Sequence, residues 1–207
     1  PALSKDGRPG EALAMLADPS LDLAARFRGQ LRNQRGIILA EVNRLPEALE
    51  QTEEALALLR AAGERSQEAR TLVNLGAITS MMGRLDEAER WYEEARDCTV
   101  ATGQHVVAAG IEGNLGYVAS RRGRYTEALD WYEQARASFA RLGGVDLLVA
   151  VLEIDHARTL LDVGLASDAA RAVRSDSPVV GAGRQRDGQR EGRAHGDIGV
   201  AVDQLHG

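Results

Sequence analysis

Residues 83–96 read GRLDEAERWYEEAR, and residues 123–136 read GRYTEALDWYEQAR. The two stretches agree at nine of fourteen positions, and the second begins forty residues after the first. The same period relates glycines outside these stretches, in the series Gly36, Gly76, Gly116 and in the series Gly63, Gly103, Gly143. Three copies in register indicate a repeat architecture, in which one packing unit is used several times.

Each copy predicts two helices joined by a glycine turn. In the second copy, apolar residues at helical spacing predict a first helix over Gln67–Met82. Gly83 follows that helix and suits the left-handed conformation that ends many helices. The second helix is expected to open at Asp86, Thr126 or Pro46 in the three copies. Aspartate and threonine suit a helix cap, and proline suits the first turn.

The small residues of each copy predict a close crossing of its two helices. Gly76 is expected opposite Ala88, where a missing or short side chain lets the two backbones approach. The same arrangement is expected for Gly116 and Ala128. Tyr92 and its counterpart forty residues later are then expected to fill the space toward the neighbouring pair. Because one helix pair cannot bury its apolar face alone, the pairs should stack.

The recurring pattern of Leu-Gly, Gly, Glu-Ala, Tyr and Ala resembles the tetratricopeptide repeat (TPR). It is carried by Leu75-Gly76, Gly83, Glu87-Ala88, Tyr92 and Ala95, and again by Leu115-Gly116, Gly123, Glu127-Ala128, Tyr132 and Ala135. These copies are longer than the usual unit of about 34 residues, as in kinesin-light-chain-like TPRs. The resemblance implies an all-α solenoid of antiparallel helix pairs, the TPR superhelix. Such arms also occur in bacterial CHAT-type proteases and multidomain regulators.

The pattern also predicts how the chain is divided. A partial repeat is expected at 1–20, and a solenoid at 21–173 with repeats at about 29–68, 69–108 and 109–149 and a partial repeat at 150–173. The 29–68 copy departs from the pattern at Arg35, Asn43 and Thr52. Residues 175–204 contain no leucine, phenylalanine, tyrosine or tryptophan. Residues 174–207 are therefore predicted to be a disordered, low-complexity tail, with a product of out-of-frame DNA as the alternative hypothesis.

Composition excludes several classes of partner. The net charge of −6 provides no basic footprint for nucleic acid, and no apolar run is long enough to span a bilayer. A single cysteine, Cys98, fits a reducing compartment, so a cytoplasmic location is predicted. Lys5 is the only lysine among the 25 basic residues. This bias against AT-rich codons indicates a bacterial source with a GC-rich genome.

No grouping of residues predicts catalysis. The four histidines are widely spaced and match no zinc or haem pattern. Cys98 and His105 would need a facing geometry that the sequence does not predict. The glycines follow the repeat period rather than a phosphate-binding pattern. We therefore predict that the chain is not an enzyme and holds no metal and no cofactor.

The resemblance places the candidate site on the first helices of the pairs, which line the concave groove of a TPR stack. Asn74 and Asn114 precede the Leu-Gly of both well-matched copies. An asparagine amide can donate to and accept from the backbone of an extended peptide. The alternative, in which these amides bond to a neighbouring helix, stays open. Carrying the family positions over gives Asn33, Gln34, Arg70, Asn74, Ala77, Ser80, Asn114, Tyr117, Ser120 and Arg121.

The function predicted from the sequence is protein–protein interaction, with a peptide segment of the partner held in the groove. The alternative is a sensing arm of a larger enzyme of the CHAT-type protease class, or of a transcriptional or signalling regulator. A protein or peptide partner is expected, without nucleic acid or membrane, and the oligomeric state is not predicted. A basic or neutral partner segment suits the acidic chain better than an acidic one.

Overall fold

The computed structural model describes residues 8–15, 24–143, 146–165 and 168–169. These residues form helices and no strands, so the predicted all-α class is confirmed. The helices are α1 (Pro9–Met15), α2 (Ala25–Glu41), α3 (Leu45–Ala61), α4 (Arg65–Met81), α5 (Leu85–Thr102), α6 (His105–Arg121), α7 (Tyr125–Leu142) and α8 (Asp146–Asp162). The tail predicted to be disordered, residues 174–207, lies outside the described residues.

The chain divides into two compact units, which meet in sequence between Gln104 and His105. In the first unit α2 pairs with α3 and α4 pairs with α5, while α4 also packs against α3 and lies beside α2. In the second unit α6 pairs with α7, and α8 packs against α7 and lies beside α6. The first helices of the pairs are thus α2, α4, α6 and α8.

Residues with a left-handed backbone occupy the turns that join these helices. Gly83 and Gly123 have φ angles of 75° and 74°, and both follow a first helix as predicted. Asn43 takes the equivalent place in the least regular copy, with a φ of 61°. Asparagine tolerates this region better than most residues because its short polar side chain can bond locally. The substitution that weakened the sequence pattern therefore preserves the turn.

The predicted helix caps are wrong by two residues. The second helices begin at Leu45, Leu85 and Tyr125, and the N-cap residues are arginines whose side chains make no cap hydrogen bond. At Arg84, the backbone carbonyl accepts the first helical bond from Ala88 (3.0 Å), while its guanidinium pairs with Glu87. Asp86 therefore lies inside the first turn, where a negative charge still complements the helix dipole. Pro46 lies in the first turn, as predicted.

The close crossings are present, but a tyrosine ring, rather than an alanine, lies over each glycine. A Cβ added at Gly76 would lie 2.5 Å from Tyr92 Cε1, and one at Gly116 would lie 2.7 Å from Tyr132 Cε1. The tyrosines thus also fill the space within their own pair, a contact that the sequence did not predict. Tyr132 also reaches the next helix, since its ring centroid lies 5.6 Å from that of His156.

The first pair replaces the tyrosine by a threonine at the same crossing. A Cβ at Gly36 would meet the Thr52 side chain and the Ala48 carbonyl. Thr52 is fully buried, and its hydroxyl donates to the Ala48 carbonyl at 2.8 Å. The polar group is therefore satisfied inside its own helix, so a small residue is tolerated where the other pairs bury a ring.

Candidate functional site: a polar pocket between two first helices

In the first unit, the predicted asparagines join two helices. Asn74 Nδ2 donates to Asn33 Oδ1 across a distance of 3.1 Å, which links α4 to α2. The two residues are only 3% and 6% exposed. Asn74 therefore bonds to a neighbouring helix, which is the alternative that the sequence left open. A buried amide pair of this kind stabilises the packing of first helices.

The other predicted residues of the first unit differ in accessibility. Ala77 and Ser80 are buried, whereas Gln34 and Arg70 are partly exposed. Gln34 and Arg70 are therefore the predicted residues of this unit that retain accessible polar atoms for a partner. Their role in binding stays a prediction.

In the second unit, the structure brings three predicted residues together around a cavity of about 190 Å³. Tyr117, Ser120 and Arg121 contribute from α6, whereas Asn114 is buried and lies outside the lining. We call this cavity the α6–α8 pocket, and its lining consists of Tyr117, Ser120, Arg121, Tyr125, Tyr132, Asp155, Arg158, Thr159 and Asp162.

Hydroxyl groups connect the helices at the α6–α8 pocket. Thr159 Oγ1 lies 2.8 Å from Ser120 Oγ, which joins α8 to α6, and 3.5 Å from the Tyr132 hydroxyl of α7. Thr159 also lies 3.0 Å from the carbonyl of Asp155 in its own helix. Ser120 is only partly buried, whereas Tyr132 and Thr159 are each 1% exposed. The pocket is therefore built on core residues that packing holds in place.

The Tyr132 hydroxyl stays protonated at neutral pH. Burial raises its pKa far above the ordinary value, and the nearby charge of Asp155 acts in the same direction, while the hydrogen bond with Thr159 opposes the rise. A protonated phenol can donate a hydrogen bond as well as accept one. This group can therefore serve as a fixed polar contact, but burial disfavours it as a base or nucleophile.

An arginine and a tyrosine of α6 interact at the rim of the α6–α8 pocket. An Nη of Arg121 donates to the Tyr117 hydroxyl at 2.8 Å. The guanidinium carbon also lies 5.7 Å from the centroid of the Tyr117 ring, within the range of cation–π attraction. Two cations (Arg121 and Arg158) and two carboxylates (Asp155 and Asp162) line this pocket.

The single cysteine contacts the backbone of a neighbouring helix. The Cys98 thiol lies 3.3 Å from the Arg65 carbonyl, and burial raises its pKa, with the charge of Glu68 adding to the effect. A thiol with a raised pKa is a poor nucleophile. No set of three potential metal ligands and no helix able to cross a membrane occur within the described residues.

The α8 residues of the pocket were missed because the last copy is displaced by one residue. Gly123 corresponds to Gly164, forty-one positions later rather than forty. Applying that spacing to Asn114, Tyr117 and Arg121 leads to Asp155, Arg158 and Asp162. All three of these α8 residues line the pocket. The displaced glycine was therefore the signal that could have found them.

Stacked antiparallel helix pairs, left-handed turns and a small polar pocket define an α-helical repeat protein of the interaction-scaffold class. Two models described as tetratricopeptide repeat match residues 27–99 and 113–146, together just over half of the chain. The chain belongs to the tetratricopeptide repeat family. A comparison with curated proteins found no match.

Solved structures with the same fold are only distantly related in sequence. BtubC (BKLC) from P. vanneervenii has a TM-score of 0.68 at 17% identity, over 91% of this chain and 77% of BtubC. The nearly identical TPR-like repeats of a kinesin light chain from Podosopora anserina have a TM-score of 0.67 at 18% identity. The match covers 90% of this chain and 93% of that structure. The Rap conjugation gene regulator of plasmid pLS20, in complex with the Phr* peptide, has a TM-score of 0.66 at 16% identity. The match covers 80% of this chain and 45% of the regulator.

Proposed function

We propose that this chain binds a peptide segment of a partner protein along its first helices, with the α6–α8 pocket as an anchoring point. The observation that carries this proposal is the pocket itself. Three residues that the family resemblance implied, Tyr117, Ser120 and Arg121, line it together with residues of α8. The partner would be recognised without covalent chemistry.

The properties of the pocket support a binding role. Its base consists of buried hydroxyl groups that helix packing already orders, so little side-chain entropy would be lost there on binding. Its rim carries both charged and aromatic groups, which provide directional contacts. Tyrosine and arginine are also the residues most often found at the energetic centres of protein interfaces. The Rap regulator, which shares the fold, was solved with a peptide bound.

The proposal can be tested with a displayed library of short random peptides. Peptides selected on the full chain would be synthesised with a fluorophore, and their dissociation constants measured by anisotropy. The variant Tyr117→Ala with Arg121→Ala should weaken binding by about tenfold or more, a loss of about 1.4 kcal/mol. The main reason is the loss of the Tyr117 ring from the pocket rim, and the Arg121 change also removes the hydrogen bond made with the Tyr117 hydroxyl.

Arg122→Ala is the matched control, because Arg122 is exposed, adjacent in sequence and absent from the pocket lining. It should leave the dissociation constants unchanged. Circular dichroism would show that both variants keep their helical content. Failure to select any peptide, or equal binding by the double variant, would overturn the proposed function.

A further inference from the structure

The size of the α6–α8 pocket limits what it can hold. Sites for small organic ligands usually enclose at least about 300 Å³, and this cavity has a volume of about 190 Å³. A single long side chain is therefore a better match than a whole small molecule. The inference that follows rests on the proposed function, in which the chain binds a peptide. It concerns which side chain of that peptide enters the pocket.

The repeat register shows a change of charge at the pocket. Asn74 and Asn114 carry neutral amides in the second and third copies, and the corresponding residue of α8 is Asp155. Arg121, the last residue of α6, corresponds to Asp162, the last residue of α8. Asp155 thus places a carboxylate where the three earlier copies have the amides of Asn114, Asn74 and Gln34. Asp162 adds a second carboxylate on the α8 side of the pocket, at a position that varies among the copies.

The pocket lies near the carboxyl ends of two helices. Arg121 and Asp162 line the pocket, and each is the final residue of its helix. The carbonyls just before them, such as those of Ser120 and Leu161, accept hydrogen bonds from the turns that follow. The attraction of the pocket for a cation is therefore assigned to the side-chain carboxylates of its lining rather than to free carbonyl groups.

Aromatic rings supply the remaining contacts. Tyr117 and Tyr125 line the pocket, and the Arg121 guanidinium already lies over the Tyr117 ring at 5.7 Å. This contact shows that the ring can accept a cation at its face. A lysine or arginine side chain also has an apolar stem that can pack on aromatic surface while its charged end stays near carboxylates.

Arg121 and Arg158 are the two cations of the pocket lining that would compete with such a ligand. Arg158 lies three residues after Asp155 and four residues before Asp162, spacings at which helical side chains are neighbours. Its guanidinium can therefore share these two carboxylates with an incoming cation. Removing Arg158 should strengthen the binding of a basic ligand and would not do so for an acidic one.

We infer that the α6–α8 pocket receives a lysine or arginine side chain of the partner peptide, with the cation near Asp155 and Asp162 and the stem against Tyr117 and Tyr125. The net charge of −6 for the chain favours the approach of such a basic segment over longer distances. The pocket would thus make the interaction selective for sequences with a basic residue at one position.

The test uses the peptides selected on the full chain, with each lysine or arginine replaced in turn by glutamine or glutamate. At one position, glutamine should weaken binding to the wild-type chain by about fivefold, which is typical of a partly exposed charge pair. In the variant Asp155→Asn with Asp162→Asn, the same replacement should have no effect. Asp130→Asn, an exposed change outside the pocket lining, is the control and should keep the full fivefold preference.

Two further measurements separate the outcomes. Arg158→Gln should tighten the binding of the parent peptide by about twofold, and added salt should reduce the preference for lysine over glutamine. A preference for glutamate, or a lysine preference that persists in the double asparagine variant, would overturn the inference. In either of those cases the peptides still bind, so the proposed function would stand without the inference. If the library yields no binding peptide, the proposed function itself is wrong.

Discussion

The two units join neighbouring first helices by different chemistry. In the first unit, α2 and α4 are linked by the buried amides of Asn33 and Asn74, which bond directly to each other. In the second unit, α6 and α8 are linked by the short hydroxyl side chains of Ser120 and Thr159, and a cavity lies beside them. These two links occupy different repeat positions, since Ser120 and Thr159 correspond to Ala40 and Ile78 of the first unit. The place of the polar link along the first helices thus differs between the units, and in the second unit it lies beside an accessible polar pocket.

This comparison also separates residues that pack the helices together from residues that line the α6–α8 pocket. Asn74 was predicted as a peptide contact, but its burial and its bond to Asn33 give it a packing role. Tyr132 belongs to both groups, since it fills the crossing of its own pair and also lines the α6–α8 pocket. Variants at these residues can therefore test the comparison directly.

The largest effect is expected from Tyr132→Ala. The fully buried ring fills the space over Gly116, and its removal should lower the free energy of unfolding by about 3–5 kcal/mol. Thr52→Ala, at the equivalent crossing of the first pair, should cost only about 1 kcal/mol because it removes one buried hydrogen bond. Urea unfolding monitored by circular dichroism measures both. Equal losses would show that the two crossings do not differ as described.

A smaller loss is expected from Asn74→Ala. Asn33 Oδ1 would lose the amide donor that it accepts from at 3.1 Å, and leaving a buried acceptor unsatisfied costs about 1–3 kcal/mol. Replacing both asparagines by alanine should cost less than the sum of the single changes, because the two residues interact. Strict additivity, measured by the same unfolding experiment, would contradict the amide link between α2 and α4.

The smallest effect concerns the start of α3. A hydrogen bond from Arg44 lowers the pKa of Glu47, and the opposite charge acts in the same direction. A lowered carboxyl pKa stabilises the fold above the unfolded-state pKa, and this contribution is lost as the pH falls through the folded-state value. Arg44→Ala should raise the pKa of Glu47 in an NMR titration. If the pKa of Glu47 does not change, the ion pair between Arg44 and Glu47 does not form in solution.

Several features of the fold were readable from single residues. The glycine at 83 predicted a left-handed turn, and Asn43 preserves that turn although it interrupts the pattern. The helix starts were placed too late because aspartate and threonine also suit the first turn of a helix, so residue type alone does not distinguish a cap from the next two positions. The arginines at 44, 84 and 124 recur with the repeat and mark the true starts.

The candidate site was predictable only in part. The family resemblance led to Tyr117, Ser120 and Arg121, which line the α6–α8 pocket. It also led to Asn74, whose exposure depends on what lies beside it. A helical period indicates that a residue lies on one face of its helix, but the period carries no information about the distance to the next helix.

By itself, the sequence determined the helical class, the period of the pairs and the places where the chain turns, because each follows from local backbone preference and from the spacing of small and apolar residues. Only the tertiary structure decided which polar residues are buried in contacts between helices and which remain accessible. That choice depends on how the side chains of two helices meet across a gap. Asn33 and Asn74 meet and bond across it, whereas Ser120 and Thr159 bond beside a cavity that is still open to a partner.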